Sequence, residues 1–70
     1  MTDKYVILSR DGCEYCEAAQ ALLPDAVVLK DETARSIVKE GGFGTFPQIF
    51  HRGKHIGGFN ELLEYRPDAS

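Results

Sequence analysis

Cysteine is scarce in this sequence, and long apolar runs do not occur in it. Two cysteines in 70 residues are too few for the several bridges that stabilise small secreted domains. No apolar stretch approaches the roughly 20 residues that cross a bilayer, and the opening MTDK lacks the basic and apolar order of a secretory signal. These absences predict a cytoplasmic protein with no membrane partner, whose cysteine pair is more often catalytic or metal-binding than structural.

Basic residues are in the minority. The chain has 8 Lys and Arg against 11 Asp and Glu, a net charge of -3. The basic residues form no run, which argues against nucleic acid as a partner. A chain this short buries only about 60% of its unfolded surface, so we expect one domain, residues 1–70, that is monomeric and has room for one site.

The first half of the chain predicts a strand, a helix and a second strand. Lys4 to Ser9 is an apolar run rich in β-formers, which Arg10-Asp11-Gly12 interrupts. A helix is predicted from Cys13 to Leu23, before Pro24, because apolar residues recur there at helical spacing: Cys16, Ala19, Leu22 and Leu23. Ala26 to Leu29 is the second strand, parallel to the first because a helix connects them.

A second helix follows. Asp31 or Thr33 can cap its start, and Gly41-Gly42 stops it. Its core-facing residues are predicted to be Ala34, Ile37 and Val38.

The last part of the chain predicts a hairpin and a short helix. Gln48 to Phe50 and His55 to Ile56 read as strands on either side of a tight turn at Arg52-Gly53. Asn60 can cap a final helix from Glu61 to Arg66, which Pro67 ends.

The chemistry lies in the pair Cys13 and Cys16, at the start of the first predicted helix. Unpaired N–H groups and the positive helix end stabilise a thiolate on the first cysteine, so Cys13 is the predicted nucleophile. Cys16, one turn further on, is predicted to be more buried and placed to displace a substrate from a mixed disulfide. The alternative is that both cysteines are small core residues.

A zinc site is a further alternative. His51 and His55 would complete a Cys2His2 set with the two cysteines. The gap is long, since zinc fingers place the two pairs about a dozen residues apart. Histidines that flank a hairpin turn are more often surface residues, and we predict no metal site.

Three segments stand out: CEYC at 13–16, TFPQIF at 45–50 and GGFNEL at 57–62. Together they resemble the glutaredoxin family across nearly the whole chain. The resemblance implies an α/β, thioredoxin-like fold, β-α-β-α-β-β-α, with a four-stranded mixed sheet flanked by helices. It also implies a disulfide oxidoreductase that uses glutathione as co-substrate and holds no tightly bound cofactor.

The resemblance further implies which residues bind substrate. In glutaredoxins the proline that matches Pro47 follows a cis peptide bond and faces the reactive cysteine. The preceding residue, which matches Phe46, offers backbone hydrogen bonds to the cysteine part of glutathione, and Thr45 belongs to the same motif.

The remaining binding residues are implied in the same way. The γ-glutamyl end of glutathione maps to Gly58, Phe59 and Asn60. Arg10 matches the family's basic residue three positions before the nucleophile, and Tyr15 matches the aromatic residue of its usual Cys-Pro-Tyr-Cys.

The chain departs from the family pattern at two places. Glu14 stands where most dithiol glutaredoxins have proline, and Phe43-Gly44 stands where a basic residue is often found. With Asp11 and Glu17 also near Cys13 and only Arg10 opposing them, we expect the local field to favour a thiolate less than usual for the family and to repel anionic glutathione.

The predicted function is glutathione-dependent reduction of protein disulfides and glutathione mixed disulfides, recycled through glutathione reductase. One alternative shares the fold: an electron donor to ribonucleotide reductase that thioredoxin reductase recycles. Another is a binding module for zinc or for a glutathione-ligated iron–sulfur cluster between two subunits.

Overall fold

The structure, a computed structural model, describes residues 4–65. Four strands and three helices follow the predicted order β-α-β-α-β-β-α. The strands are Tyr5–Leu8 (β1), Val27–Leu29 (β2), Gln48–His51 (β3) and Lys54–Gly57 (β4). The helices are Glu14–Leu22 (α1), Glu32–Glu40 (α2) and Phe59–Glu64 (α3).

One mixed sheet carries all four strands, in the order β2-β1-β3-β4. β1 runs parallel to β2, as the intervening helix predicts, and antiparallel to β3. β3 and β4 form the predicted hairpin. The C-terminal end of β1, at Leu8, leads through residues 9–12 to the cysteine pair at the start of α1.

The sheet is packed on both faces. Because successive side chains of a strand point to opposite faces, the neighbours Ile7 and Leu8 belong to different clusters. One cluster joins the sheet to α1 and α3 through Ile7, Ala19, Ile49 and Leu62. The other joins it to α2 through Leu8, Ala34 and Val38. Among the described helices none is long and apolar enough to cross a membrane.

The start of α2 agrees with prediction, but one predicted core residue is wrong. Of the two candidate caps, Asp31 is the one used: its Oδ1 accepts from the Thr33 N–H over 3.0 Å. Ala34 and Val38 are buried, whereas Ile37 is 39% exposed. Because each residue turns the helix by 100°, Ile37 lies roughly 80° around the helix axis from the midpoint between Ala34 and Val38. It therefore lies outside the buried face of the helix.

The last helix begins earlier than predicted. Its N-cap is Gly58 and its first residue is Phe59, so Asn60 is not the cap. The reason is Glu61, whose Oε1 accepts a hydrogen bond from the Gly58 N–H over 2.7 Å and so closes the helix start two residues earlier. The predicted end at Arg66 and Pro67 lies outside the described residues.

The hairpin forms the predicted tight turn, and one of the two histidines that flank the turn is buried. Arg52 and Gly53 have φ of 55° and 77°, the positive values that a type I′ hairpin turn requires at both positions. His51 was expected at the surface, and this prediction is wrong. Its ring is buried, stacks on Tyr5 at 4.1 Å and hydrogen-bonds the Tyr65 hydroxyl over 2.8 Å.

Candidate active site

Cys13 occupies the N-cap of α1. Its backbone is extended, with φ of -104°, and its Sγ accepts a hydrogen bond from the Cys16 N–H over 3.2 Å. Sulfur therefore takes the position that a serine or aspartate oxygen takes at an ordinary helix start. An amide donor and the positive end of the helix both favour negative charge on this sulfur.

Cys16 lies one turn inside the helix and is fully buried, whereas Cys13 keeps 8% of its surface exposed. Both are free thiols. Burial raises the pKa of Cys16, and so does its hydrogen bond to Cys13, while hydrogen bonds from the Ser9 side chain and the Arg10 backbone lower it. Cys13 is thus the more accessible sulfur, in the order that the sequence predicts.

The Phe46–Pro47 peptide bond is cis, as predicted. The Cys13 thiol donates to the Phe46 carbonyl oxygen over 3.8 Å, which places the backbone of this loop opposite the sulfur. A disulfide bound against the loop would have its sulfurs within reach of Cys13.

A groove of about 240 Å³ extends from this loop to the start of α3. All of the predicted binding residues except Arg10 line it: Tyr15, Thr45, Phe46, Pro47, Gly58, Phe59 and Asn60. Tyr15 and Phe59 form an aromatic wall, with ring centroids 5.7 Å apart. A cavity of about 560 Å³ lies elsewhere, lined by Lys4, Tyr5 and residues 22–26, and neither cysteine is among its lining residues.

Arg10 lies beside the groove rather than in it. Its Cζ is 5.9 Å from the centroid of the Phe46 ring, a cation–π distance. The guanidinium therefore contacts the ring of a residue that itself lines the groove.

Three residues of the site were not predicted from the sequence as site residues. Gln48 is buried and binds Thr45 in the substrate loop. Glu61 lines the groove and binds the Gly58 amide. Ser9 is buried beside Cys16. The helix-start pattern of a glutamate three residues after the cap was a usable signal for Glu61; the other two depend on contacts between distant segments.

The Cys2His2 alternative is not supported. Within residues 4–65 no three His, Cys, Asp or Glu side chains come together as a metal site. His51 is bound to Tyr65, and the Nε2 of His55 lies 2.7 Å from Gln48 Oε1.

The described geometry agrees with what comparisons with known proteins show. A family model described as Glutaredoxin matches residues 5–56. Glutaredoxin 3 of Escherichia coli is 35% identical over 71 residues, which cover 90% of this chain and 83% of that protein. Glutaredoxin 1 of Rickettsia typhi is 34% identical over 74 residues, 91% of this chain and 71% of that protein.

A longer relative is the hybrid peroxiredoxin hyPrx5 of Haemophilus influenzae. It is 36% identical over 66 residues, which cover 84% of this chain. The aligned part is 27% of that protein, so the chain spans about a quarter of its length.

Solved structures confirm the predicted thioredoxin-like architecture. A crystal structure of a buckwheat glutaredoxin–glutathione complex superimposes with a TM-score of 0.71 at 25% identity, covering 86% of this chain and 64% of that one. Glutaredoxin 1 from Francisella tularensis, complexed with cacodylate, gives a TM-score of 0.66 at 32% identity, covering 87% and 88%.

Proposed function

Because the chain belongs to the glutaredoxin family, whose members are disulfide oxidoreductases, we propose that it reduces protein disulfides and glutathione mixed disulfides with electrons from glutathione. The observation that carries the proposal is the position of Cys13. Its sulfur accepts from a helix-start amide and faces the Phe46 carbonyl, and Phe46 in turn lines a groove of about 240 Å³.

The first step is attack by the Cys13 thiolate on one sulfur of the disulfide. A Cys13–substrate bond forms, the original S–S bond breaks, and the second sulfur leaves as a thiolate that takes up a proton. With a glutathione mixed disulfide, Cys13 retains glutathione and a second glutathione releases it. With a protein disulfide, Cys16 attacks Cys13 Sγ, releases the reduced protein and leaves a Cys13–Cys16 disulfide that two glutathione molecules reduce.

The groove would hold glutathione as a co-substrate, without a tightly bound cofactor. A related buckwheat protein forms a complex with glutathione, and the residues that line the groove here match the family's motifs. The Phe46 backbone would bind the cysteine part, and the segment from Gly58 to Asn60 the γ-glutamyl end. Tyr15 would cover the peptide from the solvent side, and Arg10 would contribute positive charge at the edge. Glutathione is kept reduced in the cytoplasm, and we propose that the protein acts there as a monomer.

The position of Glu61 favours an alternative electron source, thioredoxin reductase. Glu61 lines the groove, and its carboxylate accepts from the amide of Gly58, another lining residue, so its negative charge would repel an anionic peptide. Weak glutathione binding would favour recycling by thioredoxin reductase, as in a donor to ribonucleotide reductase.

The hybrid relative favours a peroxiredoxin as one protein substrate. In the Haemophilus influenzae protein, a segment similar to this chain belongs to a longer chain named a peroxiredoxin. Reduction of a peroxiredoxin disulfide by the separate chain would be the corresponding reaction between two molecules.

The deciding experiment supplies NADPH and one recycling system at a time. The chain is assayed on a glutathione mixed disulfide with glutathione and glutathione reductase, and on an oxidised peroxiredoxin with either that system or thioredoxin reductase. NADPH oxidation that needs glutathione and is lost in Cys13→Ser is the expected result. Activity with thioredoxin reductase alone would contradict glutathione dependence, and activity of Cys13→Ser would contradict the proposed site.

A further inference from the structure

His55 is an exposed histidine on β4 whose ring is held in place by two aromatic neighbours. It stacks on Phe43, with ring centroids 4.5 Å apart, and it contacts the Phe50 ring at 5.0 Å. Phe50 is the residue opposite His55 in the β3–β4 pair, so their side chains lie on the same face of the sheet. Fixing an exposed side chain costs conformational entropy, which these two contacts offset.

A hydrogen bond joins the His55 ring to the buried side chain of Gln48. Gln48 lies two residues before Phe50 on β3, and so on the same face of the sheet. The Nε2 of His55 lies 2.7 Å from Gln48 Oε1. On its other side the Gln48 amide reaches Thr45, since its Nε2 donates to the Thr45 carbonyl oxygen over 3.0 Å and to the Thr45 hydroxyl over 3.1 Å.

The direction of the bond between ring and amide follows from the Thr45 carbonyl. A carbonyl oxygen only accepts hydrogen bonds, so the amide nitrogen of Gln48 must face Thr45 and the amide oxygen must face His55. An amide oxygen has no proton to give, and the Nε2 of His55 is therefore the donor. Without that donor the Gln48 amide could turn over, which would place its oxygen against the Thr45 carbonyl.

Two contacts connect His55 with the loop that forms one side of the groove. The ring stacks directly on Phe43, and through Gln48 it acts on Thr45, two residues further along the chain. Thr45 and the following Phe46 line the groove, whereas His55 is not among the lining residues. Any effect of His55 on a substrate in the groove must therefore pass through the loop.

We propose that His55 is a positioning residue for substrate binding, which acts through Gln48 to hold the loop at Thr45 in the conformation that receives a disulfide. The proposal rests on the groove being the substrate site of the proposed function. A loop that spends only part of its time in the binding conformation binds substrate correspondingly more weakly. The attack by Cys13 on a bound disulfide is unchanged, so loss of the His55 donor should raise KM and leave kcat unchanged.

The test separates the hydrogen bond from the packing of the ring. His55→Phe keeps an aromatic ring against Phe43 and Phe50 and removes the donor, whereas His55→Gln keeps an N–H donor and removes the ring. Both variants are assayed on a glutathione mixed disulfide with glutathione and glutathione reductase. One hydrogen bond typically corresponds to about a fivefold change in an equilibrium constant, so KM should rise about fivefold in His55→Phe at unchanged kcat. His55→Gln should restore most of that loss.

A double-mutant cycle shows whether His55 acts through Gln48. Gln48→Met removes the amide and keeps a side chain of similar length, so His55→Phe should have no further effect on KM in that background. Equal effects of His55→Phe in both backgrounds would overturn the proposal, and so would a wild-type KM in His55→Phe. Lys54→Arg, at the neighbouring exposed position of β4, is the matched control and should leave KM unchanged.

Hydrogen exchange of the Gln48 side-chain amide, followed by NMR, gives a second readout that needs no activity. Three hydrogen bonds hold this amide in the wild-type protein. Its exchange should be faster in His55→Phe and unchanged in Lys54→Arg, and exchange as slow in His55→Phe as in the wild type would overturn the proposal. Absence of turnover in the wild-type protein would contradict the proposed function instead, and the amide exchange would still test the role of His55.

Discussion

Gln48 holds Thr45 by two hydrogen bonds: its Nε2 donates to the Thr45 carbonyl oxygen over 3.0 Å and to the Thr45 hydroxyl over 3.1 Å. Thr45 directly precedes the Phe46–Pro47 peptide, so the two bonds fix the segment that faces Cys13. The His55 ring donates to Gln48 Oε1 over 2.7 Å, which sets the orientation of the amide from the neighbouring strand.

Gln48→Glu should therefore weaken substrate binding with little change of shape. An ionised glutamate only accepts hydrogen bonds, so it loses both donations to Thr45 and places negative charge against a carbonyl oxygen. At about 1 kcal/mol for each lost bond, we expect kcat/KM for a glutathione mixed disulfide to fall at least about tenfold, mainly through KM. Thr45→Val, which removes one acceptor and leaves the carbonyl, should cost less. A KM equal to that of the wild type would show that the loop is held by other contacts.

Substitution of the two cysteines should abolish different disulfide-reduction reactions. Cys13→Ser should abolish all disulfide reduction, because the accessible sulfur is the one that attacks first. Cys16→Ser should keep reduction of small glutathione mixed disulfides and lose most reduction of protein disulfides, because only the second needs resolution from within the chain. Both reactions are measured for both variants, and an active Cys13→Ser with an inactive Cys16→Ser would reverse the assigned roles.

Removal of the charge at Glu14 should make Cys13 more reactive. Glu14 is exposed and directly follows Cys13 at the helix start, so its carboxylate opposes negative charge on the neighbouring sulfur. Exposed charges interact weakly and are screened by salt, and we expect Glu14→Gln to speed alkylation by iodoacetamide at neutral pH by about threefold or less.

Two further measurements accompany the alkylation rate of the Glu14→Gln variant. Added salt should reduce the difference from the wild type, and glutathione binding should tighten. Glu40→Gln, at the far end of α2, is the control and should have no effect. Alkylation no faster than in the wild type would mean that the Glu14 side chain points away from the sulfur.

The hairpin turn offers a stability prediction. Arg52 adopts φ of 55°, a left-handed conformation that costs an ordinary residue about 1 kcal/mol and that asparagine adopts more readily. Arg52→Asn should raise the free energy of unfolding by about 0.5–1 kcal/mol, seen as a higher urea midpoint at unchanged slope. Arg52→Ala keeps the conformational cost and should give no such gain. A fall in stability for Arg52→Asn would show that contacts of the arginine side chain outweigh the strain.

Local signals account for what was predicted well. The turn at Arg52-Gly53, the cap at Asp31 and the strand before Cys13 each depend on residues a few positions apart, where backbone preferences and capping bonds operate. The cysteine pair was predicted in its correct order for the same reason, since one helical turn separates the accessible N-cap position from the buried one.

The sequence by itself determined the order of the elements, the place of the cysteines and the family motifs that surround the groove. Only the tertiary structure decided that Ile37 is exposed, that His51 is buried and that Gln48 holds the substrate loop. Those outcomes depend on which elements pack against each other and in what register. Cys13 meets the Phe46 carbonyl across 33 positions of sequence, and Ser9 meets Gln20 across 11. Such contacts form only when the sheet and α1 pack together, and no periodicity or local preference in the chain encodes them individually.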